Sequence, residues 1–506
     1  MGKAKPKHAV VMVLGDLGRS PRMQYHALSL LEQGHYVSLV GYAGEGLIPP
    51  LENALANSML TDNGETPCSF RGNLHVLRME PHQPPRNNML CRLLYYPLRL
   101  ASLLYCVIDT LWVKLNHPPH TKLPVDVILV QNPPSVPTLL LAYLFCIWNG
   151  VWRSHRPRFV IDWHNLGYTM FDLPDSKTRF LRQALQKSLR AFVKVYEYTM
   201  ASLADAHLCV TQAMEGWLGE NFGVHGGNVR VVYDKPPLLF RPTAVEEQHE
   251  LFRRLKLEEQ EGLSHWRHTM EQKQSQDQND STEVTLFTQA LTKNGERTSV
   301  ELRNDRPALL VSSTSWTPDE DFSILLDAMD KLQSLVESNL SEETQQDASS
   351  FPRVLVIVTG KGPQKAHYVP LIDDFNRTHP SIKIFTLWLE AVDYPKLLGC
   401  ATLGISLHTS TSGLDLPMKV LDMFGCHVPV CAIGFDCLAE LVKDGVNGRI
   451  FQNADELSNQ LFGLLKGYPS KEGGGSELET YKLSIHGMKR WKENWEESAQ
   501  HLIVGE

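Results

Sequence analysis

Short apolar runs alternate with helical patterns along both halves of the chain, and polar or glycine-containing turns bound the runs. The clearest runs are residues 9–14, 125–130, 159–163 and 353–359. Continuous apolar runs of this length are typical of strands that are buried on both faces of a parallel sheet. Residues 138–150 supply a helical crossover between the second and third runs. The alternation predicts an α/β fold with two Rossmann-like, doubly wound domains.

The length of 506 residues fits two or three domains. We expect an N-terminal domain over 1–243 and a C-terminal domain over 306–480. Between them, 244–305 is rich in Glu, Gln, Lys and Asp, which predicts a charged and partly disordered insertion. Residues 481–506 predict a C-terminal amphipathic helix.

Charge and cysteine usage exclude several classes of protein. The net charge of −8 argues against a nucleic-acid partner, because phosphate binding needs clustered Lys and Arg. The nine cysteines are scattered, without CxxC or Cys/His metal spacing. We therefore expect neither a zinc site nor a disulfide framework, and reduced cytosolic thiols fit best.

The first apolar run leads into a glycine turn and then a helix. Gly15 and Gly18 would let the backbone approach a ligand, while Arg19 and Arg22 are available for a phosphate. The turn matches neither the dinucleotide-binding nor the P-loop pattern. A purely structural turn is the alternative interpretation.

The second half carries a corresponding arrangement for a nucleotide-sugar. Lys361 lies between Gly360 and Gly362, where an ammonium could contact a diphosphate. Further along, a turn with Ser412 and Gly413 precedes a helical pattern that would place three charged side chains on one side. These are Asp415, Lys419 and Asp422. Carboxylates suit sugar hydroxyls and the lysine suits a diphosphate, although an ordinary helix with a surface ion pair is the alternative.

Asp162 and His164 follow the third apolar run and are the candidates for a general base. A helix cap and an ordinary loop histidine are the alternative. Asp319, Glu320 and Asp321 resemble a metal-binding trio, but residues 317–320 have the pattern of a capping box opening a helix at Phe322. We predict no metal site.

Residues 89–115 form the most apolar long segment. Arg92, Arg99, Asp109 and Lys114 interrupt it, so it predicts a helix lying in a membrane interface, with a buried domain helix as the alternative. Residues 9–14 are too short for a signal-peptide core, so we expect a first strand and no leader.

Five phrases resemble the chitobiosyldiphosphodolichol β-mannosyltransferase family, which is glycosyltransferase family 33. They are residues 15–26, 130–137, 161–165, 313–322 and 412–419. The likeness runs from about residue 9 to 465, except for the insertion near 250–305. The chain resembles the plant TURAN-type branch, which lacks the anchor helix with which many members begin.

This resemblance implies a GT-B fold, with two domains facing a cleft, and an inverting enzyme. The expected reaction moves mannose from GDP-mannose to dolichyl-diphosphate chitobiose, with a β1,4 link, on the cytosolic face of the endoplasmic reticulum membrane. Ser313 and Ser315 join the expected donor site, while Arg19 and Arg22 are assigned to the acceptor diphosphate. No cofactor is required for the chemistry, and the need for a divalent metal is left open.

The segment around Asp422 is similar to the nucleotide-sugar motif EX7E of GT-B enzymes. Leu414 replaces the first glutamate, which puts the retaining mechanism of that motif in doubt. The alternatives are a glycosyltransferase that uses a UDP-sugar, or an inactive GT-B scaffold that recruits other mannosyltransferases of the pathway.

Overall fold

The computed structural model describes residues 5–59, 73–80, 89–115, 122–171, 180–260, 263, 266, 280–293, 296–342, 351–390, 392–410, 412–469 and 477–505. The chain forms two compact units: unit 1 is Met1–Asp234 with Arg490–Glu506, and unit 2 is Lys235–Lys489. The division comes at Asp234 instead of the predicted residue 243. Phe240 lies in the core of unit 2 and Pro236 contacts Gly425 there, which explains the earlier boundary.

Unit 1 is built on a sheet of seven parallel strands in the order β3-β2-β1-β4-β5-β6-β7. The strands are β1 (His8–Asp16), β2 (Tyr36–Tyr42), β3 (Leu74–Met79), β4 (Val125–Asn132), β5 (Arg158–Trp163), β6 (Ala206–Cys209) and β7 (Val229–Val231). The order reverses between β1 and β4, and ligands of such sheets bind at the carboxyl ends beside this point. The loops that follow β1, β4 and β5 begin at these carboxyl ends.

Among the described residues of unit 1, six helices connect these strands. They are α1 (Pro21–Glu32), α2 (Pro49–Met59), α3 (Met89–Ile108), α4 (Thr138–Arg153), α5 (Phe180–Leu203) and α6 (Gln212–Phe222). Helix α3 continues as a π-helical segment, Asp109–Lys114, so the segment predicted as one apolar helix is helical over its described length. Among the described residues, no helix is both long enough and apolar enough to cross a membrane.

Unit 2 begins with helix α7 (Val245–Leu255) and an antiparallel sheet in the order β10-β9-β8. Its strands are β8 (Asp280–Val284), β9 (Thr288–Lys293) and β10 (Glu296–Leu302). Part of the predicted insertion is therefore ordered, and it is anchored because Leu251, Phe252 and Phe287 lie in the core of unit 2. The stretch predicted to be disordered, around 272–280, lies outside the described residues except for Asp280.

A second parallel sheet follows, in the order β13-β12-β11-β14-β15-β16. Its strands are β11 (Ala308–Ser313), β12 (Val354–Thr359), β13 (Ile382–Leu387), β14 (Leu403–Ser406), β15 (Val430–Ile433) and β16 (Gly448–Phe451). In the part of this region that the structure describes, six helices accompany them: α8 (Ser323–Glu342), α9 (Lys365–Thr378), α10 (Tyr394–Leu398), α11 (Met418–Gly425), α12 (Ala454–Leu465) and α13 (Glu477–His486). The order again reverses between the first and fourth strands of the sheet, here β11 and β14.

The chain then returns to unit 1 through α14 (Trp491–Ser498) and α15 (Gln500–Val504). Trp495, Leu502 and Ile503 are buried in the same core as Val11 and Leu30 of the first strand and helix. Trp491 Nε1 also donates a hydrogen bond to Ser29 Oγ at 2.9 Å. The predicted single helix over 481–506 is instead the end of α13 followed by two short helices, α14 and α15, and these two complete the core of unit 1.

Candidate functional site

The carboxylate of Asp162 is the centre of a buried charged cluster in unit 1. Asp162 is 0% exposed at the end of β5. The guanidinium of Arg22, on α1, donates from Nε to Oδ2 and from Nη2 to Oδ1, both at 2.9 Å. Arg22 Nη1 also donates to Asp234 Oδ1 at 2.9 Å and to the carbonyl of Val232. This bidentate ion pair compensates the negative charge of Asp162, which would otherwise be very costly to bury.

Two histidines contact the same carboxylate. His164 Nε2 lies 2.8 Å from Asp162 Oδ2, and His26 Nε2 lies 3.2 Å from it. On the other side of the His26 ring, Trp495 Nε1 donates to Nδ1 at 2.8 Å. An indole N–H can only donate, so Nδ1 of His26 accepts and Nε2 carries its proton. Burial lowers the pKa of His26, which keeps this ring neutral.

The cluster gives Asp162 and His164, the two predicted base candidates, different tendencies to accept a proton. Burial alone would raise the pKa of Asp162, but the charge of Arg22 and the bonds from both histidines hold it well below its usual range. A carboxylate of this kind is a poor proton acceptor. His164 is partly exposed, with 23% of its side chain accessible, and Asp162 orients it. If Nε2 donates its proton to Asp162, Nδ1 is the ring nitrogen that can accept another.

The residues assigned to the acceptor diphosphate are placed differently from expectation. Arg22 is buried and bound to two carboxylates, which argues against its assignment to a diphosphate. Arg19 is exposed and forms an ion pair with Glu45, 2.8 Å between Nη2 and Oε1. Gly15 belongs to β1 itself. A Cβ on Gly18 would lie 2.6–2.7 Å from atoms of Glu45, so this glycine permits the packing of two loops.

Glu197 is a buried carboxyl group that the sequence pattern does not indicate. It lies on α5, and its Oε1 accepts from Asn132 Nδ2 and from the backbone N–H of Gly167, both at 2.9 Å. Burial raises its pKa. The contacts fix the loop after β4 beside the loop after β5, where His164 lies. Its signal in the sequence was a single Glu among the apolar positions of a helix.

In unit 2, the loops after β11 and β12 pack directly against each other. Gly360 has φ of +128°, and a Cβ there would lie 1.8 Å from the carbonyl oxygen of Thr314. A Cβ on Gly362 would lie 1.8 Å from the carbonyl oxygen of Ser315. The two glycines therefore allow two backbone segments of the protein to pack together. This packing explains both glycines without the close approach to a diphosphate that the sequence suggests.

We expect Gly360→Ala to lower the free energy of unfolding of unit 2 by at least about 2 kcal/mol, because the new methyl group meets backbone and φ is unfavourable. Gly463→Ala is the matched control. Gly463 lies within α12, and a methyl group there would point into open space, so alanine should stabilise by about 0.5–1 kcal/mol. Urea titration of both variants measures the difference; equal effects would contradict it.

The ammonium of Lys361 projects over an aromatic ring. Its Nζ lies 3.5 Å from the ring centroid of Trp388, which is 62% exposed. Close to it, Ser313 Oγ is within hydrogen-bond distance of Tyr394 Oη at 2.9 Å and accepts from Thr359 Oγ1 at 3.2 Å. Lys361 and Ser313 therefore both lie at the carboxyl end of the sheet. Trp388 has no signal in the sequence beyond its position after a strand.

Glu320 is the central residue of this site, and the capping-box prediction missed its role. It is 2% exposed and forms an ion pair with Lys419. Its carboxylate also accepts from Thr314 Oγ1 and from the backbone N–H of Ser315, and His408 Nδ1 lies 3.5 Å away. Helix α8 begins later than predicted, at Ser323. Lys419 Nζ contacts Ser315 Oγ at 3.2 Å, so the fold brings these two candidate donor-site residues together.

Glu320 makes stability depend on pH in the acid range. Burial would raise its pKa, but its bonds with His408, Lys419 and Thr314 lower it to about 2. A lowered pKa gives stability that is present above the ordinary value of about 4.5 and is lost as pH falls towards 2. Glu320→Gln should therefore lower the free energy of unfolding by about 1–3 kcal/mol at pH 7. The melting temperatures of the wild type and of Glu320→Gln should converge as the pH falls from 7 to 2.5. A difference that stays constant with pH would contradict the lowered pKa of Glu320.

Asp415 does not share a helix face with Lys419. Helix α11 begins at Met418, and Asp415 lies in the preceding loop, where its Oδ1 accepts from Ser410 and Ser412. The predicted face is wrong because Pro417 is the N-cap, and the three residues before it are outside the helix. Gly413, in the same loop, has φ of +72°.

Asp422 is on α11, and burial raises its pKa to about 8. The charge of its carboxylate also contributes to the raised pKa of Tyr394. A carboxyl group with a strongly raised pKa at the carboxyl end of a sheet is a common mark of a binding or catalytic site. Within the described part of the chain, no group of three or more His, Cys, Asp or Glu residues is arranged to hold a metal ion.

The chain is similar over nearly its whole length to characterised glycosyltransferases. It is 40% identical to the UDP-glycosyltransferase TURAN of Arabidopsis thaliana, over 99% of this chain and 98% of that protein. It is 38% identical to the chitobiosyldiphosphodolichol beta-mannosyltransferase of Mus musculus, over 99% of this chain and 90% of that protein. The Homo sapiens protein of the same name is 36% identical, over 98% and 93%. No protein-family model matches the chain.

Solved structures share the fold at low sequence identity. Anabaena HepE, solved with UDP and glucose, gives a TM-score of 0.54 at 14% identity over 97% of this chain and 98% of that one. A glycosyltransferase from Rickettsia africae gives 0.51 at 11% identity over 98% and 97%. The predicted GT-B fold with two Rossmann-like domains is confirmed. The chain is a glycosyltransferase and belongs to the chitobiosyldiphosphodolichol β-mannosyltransferase family.

Proposed function

We propose that this enzyme transfers mannose from GDP-mannose to dolichyl-diphosphate chitobiose, forming a β1,4 link, as an early step in lipid-linked oligosaccharide assembly. The observation that carries the proposal is the similarity, over 98% or more of the chain, to the mouse and human relatives named for this acceptor. The Asp162–His164 pair supports it, because an inverting transfer needs one proton acceptor at the acceptor hydroxyl.

In the proposed mechanism, the acceptor 4-hydroxyl gives its proton to Nδ1 of His164 while its oxygen attacks C1 of mannose. The bond from C1 to the diphosphate oxygen breaks, and the electron pair leaves with GDP. Asp162 stabilises the imidazolium that forms, since its carboxylate lies 2.8 Å from Nε2. Arg22 supports this step indirectly, because it keeps Asp162 ionised.

The residues of unit 2 are assigned to the donor. Lys361 and Lys419 supply positive charge for the diphosphate, and Glu320 holds the Lys419 ammonium in place. Ser313, Ser315 and Ser412 supply hydroxyl groups, while Asp415 and Asp422 are assigned to donor hydroxyls. A protonated Asp422 could donate as well as accept a hydrogen bond, because burial raises its pKa to about 8.

The endoplasmic reticulum membrane, on its cytosolic face, is the proposed location, since the acceptor is a lipid. Support comes from α3 and its π-helical continuation, where several apolar side chains are exposed. These are Leu98, Leu100, Tyr105, Ile108 and Val113. They fit the interfacial helix that the sequence predicts over 89–115 better than the alternative of a buried helix.

A donor panel tests the proposal. Purified enzyme, with chitobiosyl-diphosphate lipid as acceptor, is assayed with GDP-mannose, UDP-glucose and UDP-N-acetylglucosamine, with and without a divalent metal. Transfer from GDP-mannose alone is expected. The name of the Arabidopsis relative favours a second candidate, a UDP-sugar donor, and transfer from a UDP-sugar would establish it. If no donor is used, an inactive scaffold replaces both.

A further inference from the structure

Helix α5 exposes a row of apolar side chains. Leu185, Leu189, Phe192, Val195 and Tyr198 are between 43% and 65% exposed. They recur every three or four residues and therefore share one side of the helix. Val193, Glu197 and Met200, on the opposite side, are buried. The helix thus presents an apolar face outward while a second face packs on unit 1.

Basic side chains border this outward face. Lys187, Arg190 and Lys194 are exposed, and the last two also contact the ring of Tyr168 through their charges. The single carboxyl group of α5 is Glu197, which is buried. In a chain with a net charge of −8, this is a local positive edge beside apolar surface.

The apolar surface continues onto α4. Tyr196 Oη accepts from the backbone N–H of Leu140 at 2.8 Å, which joins the start of α4 to α5. Along α4, further apolar side chains are exposed: Leu140, Leu144, Ile147, Val151 and Trp152. The α4–α5 surface consists of the five exposed apolar residues of each helix together with Lys187, Arg190 and Lys194. The apolar residues are Leu140, Leu144, Ile147, Val151, Trp152, Leu185, Leu189, Phe192, Val195 and Tyr198. A surface of ten exposed apolar side chains on two adjoining helices is larger than the scattered apolar residues of ordinary protein exteriors.

We propose that the α4–α5 surface docks on a bilayer that contains anionic lipids. The apolar row would enter the boundary between headgroups and acyl chains, while the three basic residues meet lipid phosphates and carboxylates. This inference deepens the proposed function, because a lipid-linked acceptor must be reached at a membrane. With α3 as the first membrane contact, the α4–α5 surface is a second one, so α4 and α5 would also lie against the lipid.

Charge decides in favour of a lipid surface over a second copy of the chain. A symmetric dimer through this surface would bring Lys187 and Lys194 towards their own counterparts, and α5 itself carries no exposed carboxylate. An anionic bilayer instead offers a continuous negative partner, and each basic residue near it contributes favourably.

Vesicle flotation of the purified full-length chain tests the inference. Vesicles of phosphatidylcholine, and of phosphatidylcholine with one-fifth phosphatidylserine, are used with the wild type and a triple variant, Leu189→Ser, Phe192→Ser and Val195→Ser. The matched control is Leu238→Ser, Leu239→Ser and Leu483→Ser, three exposed leucines of unit 2. We expect the α5 variant to lose at least about tenfold in vesicle binding and the control to be unchanged.

A charge variant, Lys187→Gln with Lys194→Gln, should weaken binding only to the vesicles with phosphatidylserine, and added salt should do the same. Unchanged flotation of the α5 triple variant would overturn the inference. So would a wild-type dimer, seen by light scattering without vesicles, that the triple variant converts to monomer, since the surface would then be a self-association site.

Transfer to a chitobiosyl diphosphate with a short, water-soluble lipid separates this inference from the proposed function. The triple variant should keep its rate on that acceptor while it loses vesicle binding, which also shows that it is folded. If the wild type transfers nothing to either acceptor but still floats, the proposed function fails and the docking surface stands.

Discussion

Replacing Arg22 by alanine is expected to lower the free energy of unfolding of unit 1 by about 3–5 kcal/mol, enough to unfold it under mild conditions. The guanidinium makes two hydrogen bonds to Asp162 and a third to Asp234. Asp162 is 0% exposed, so its charge has no water to replace Arg22. The variant must either leave that carboxylate uncompensated or protonate it, and both cost stability.

Arg19→Ala is the matched control. Arg19 lies three positions earlier, in the turn before α1. Its side chain is 71% exposed in its pair with Glu45, so its loss should lower the free energy of unfolding by less than about 1 kcal/mol. Chemical denaturation, followed by tryptophan fluorescence, measures both variants. A folded, stable Arg22→Ala protein with weakened binding only to a diphosphate acceptor would restore the sequence-based assignment of this arginine.

The contrast between Arg19 and Arg22 shows where sequence reasoning reached its limit. Both arginines follow a glycine turn, and the pattern alone gave them the same phosphate role. The buried position of Arg22 did have a signal: it lies four residues before His26, on the helix side that also carries Met23, Ala27 and Leu30. Its partners Asp162 and Asp234 are distant in sequence, so the pairing itself required the fold.

The fold was predictable because continuous apolar runs and intervening helices report parallel sheets directly. The same rule indicated sites at the carboxyl ends of strands: His164 follows β5, Lys361 follows β12, and Lys419 lies on α11, the helix after β14. The role of Glu320 was not predictable, because residues 317–320 satisfy a local capping pattern while its actual partners come from Thr314, His408 and Lys419. Local patterns compete with tertiary contacts, and here the tertiary contacts prevailed.

Replacing His164 by alanine is expected to lower the transfer rate by about 10²–10⁴-fold with little change in stability. His164 is the partly exposed member of the cluster, and its loss leaves the bonds of Arg22 to Asp162 in place. The Michaelis constant for the donor should change little, because the donor residues belong to unit 2. Initial rates with saturating donor measure the loss of transfer, and melting temperatures measure the change in stability.

His155→Ala is the control, since His155 is an exposed histidine of unit 1 whose Nε2 lies 3.0 Å from Asp126 Oδ1. It should keep full activity. Added imidazole should restore part of the rate of His164→Ala, because a soluble base can occupy the space of the missing ring. If His164→Ala stays fully active, the proton acceptor must be sought elsewhere. Asp162 is a poor substitute, because its ionised form is so strongly held by Arg22 and His26 that it has little tendency to take a proton.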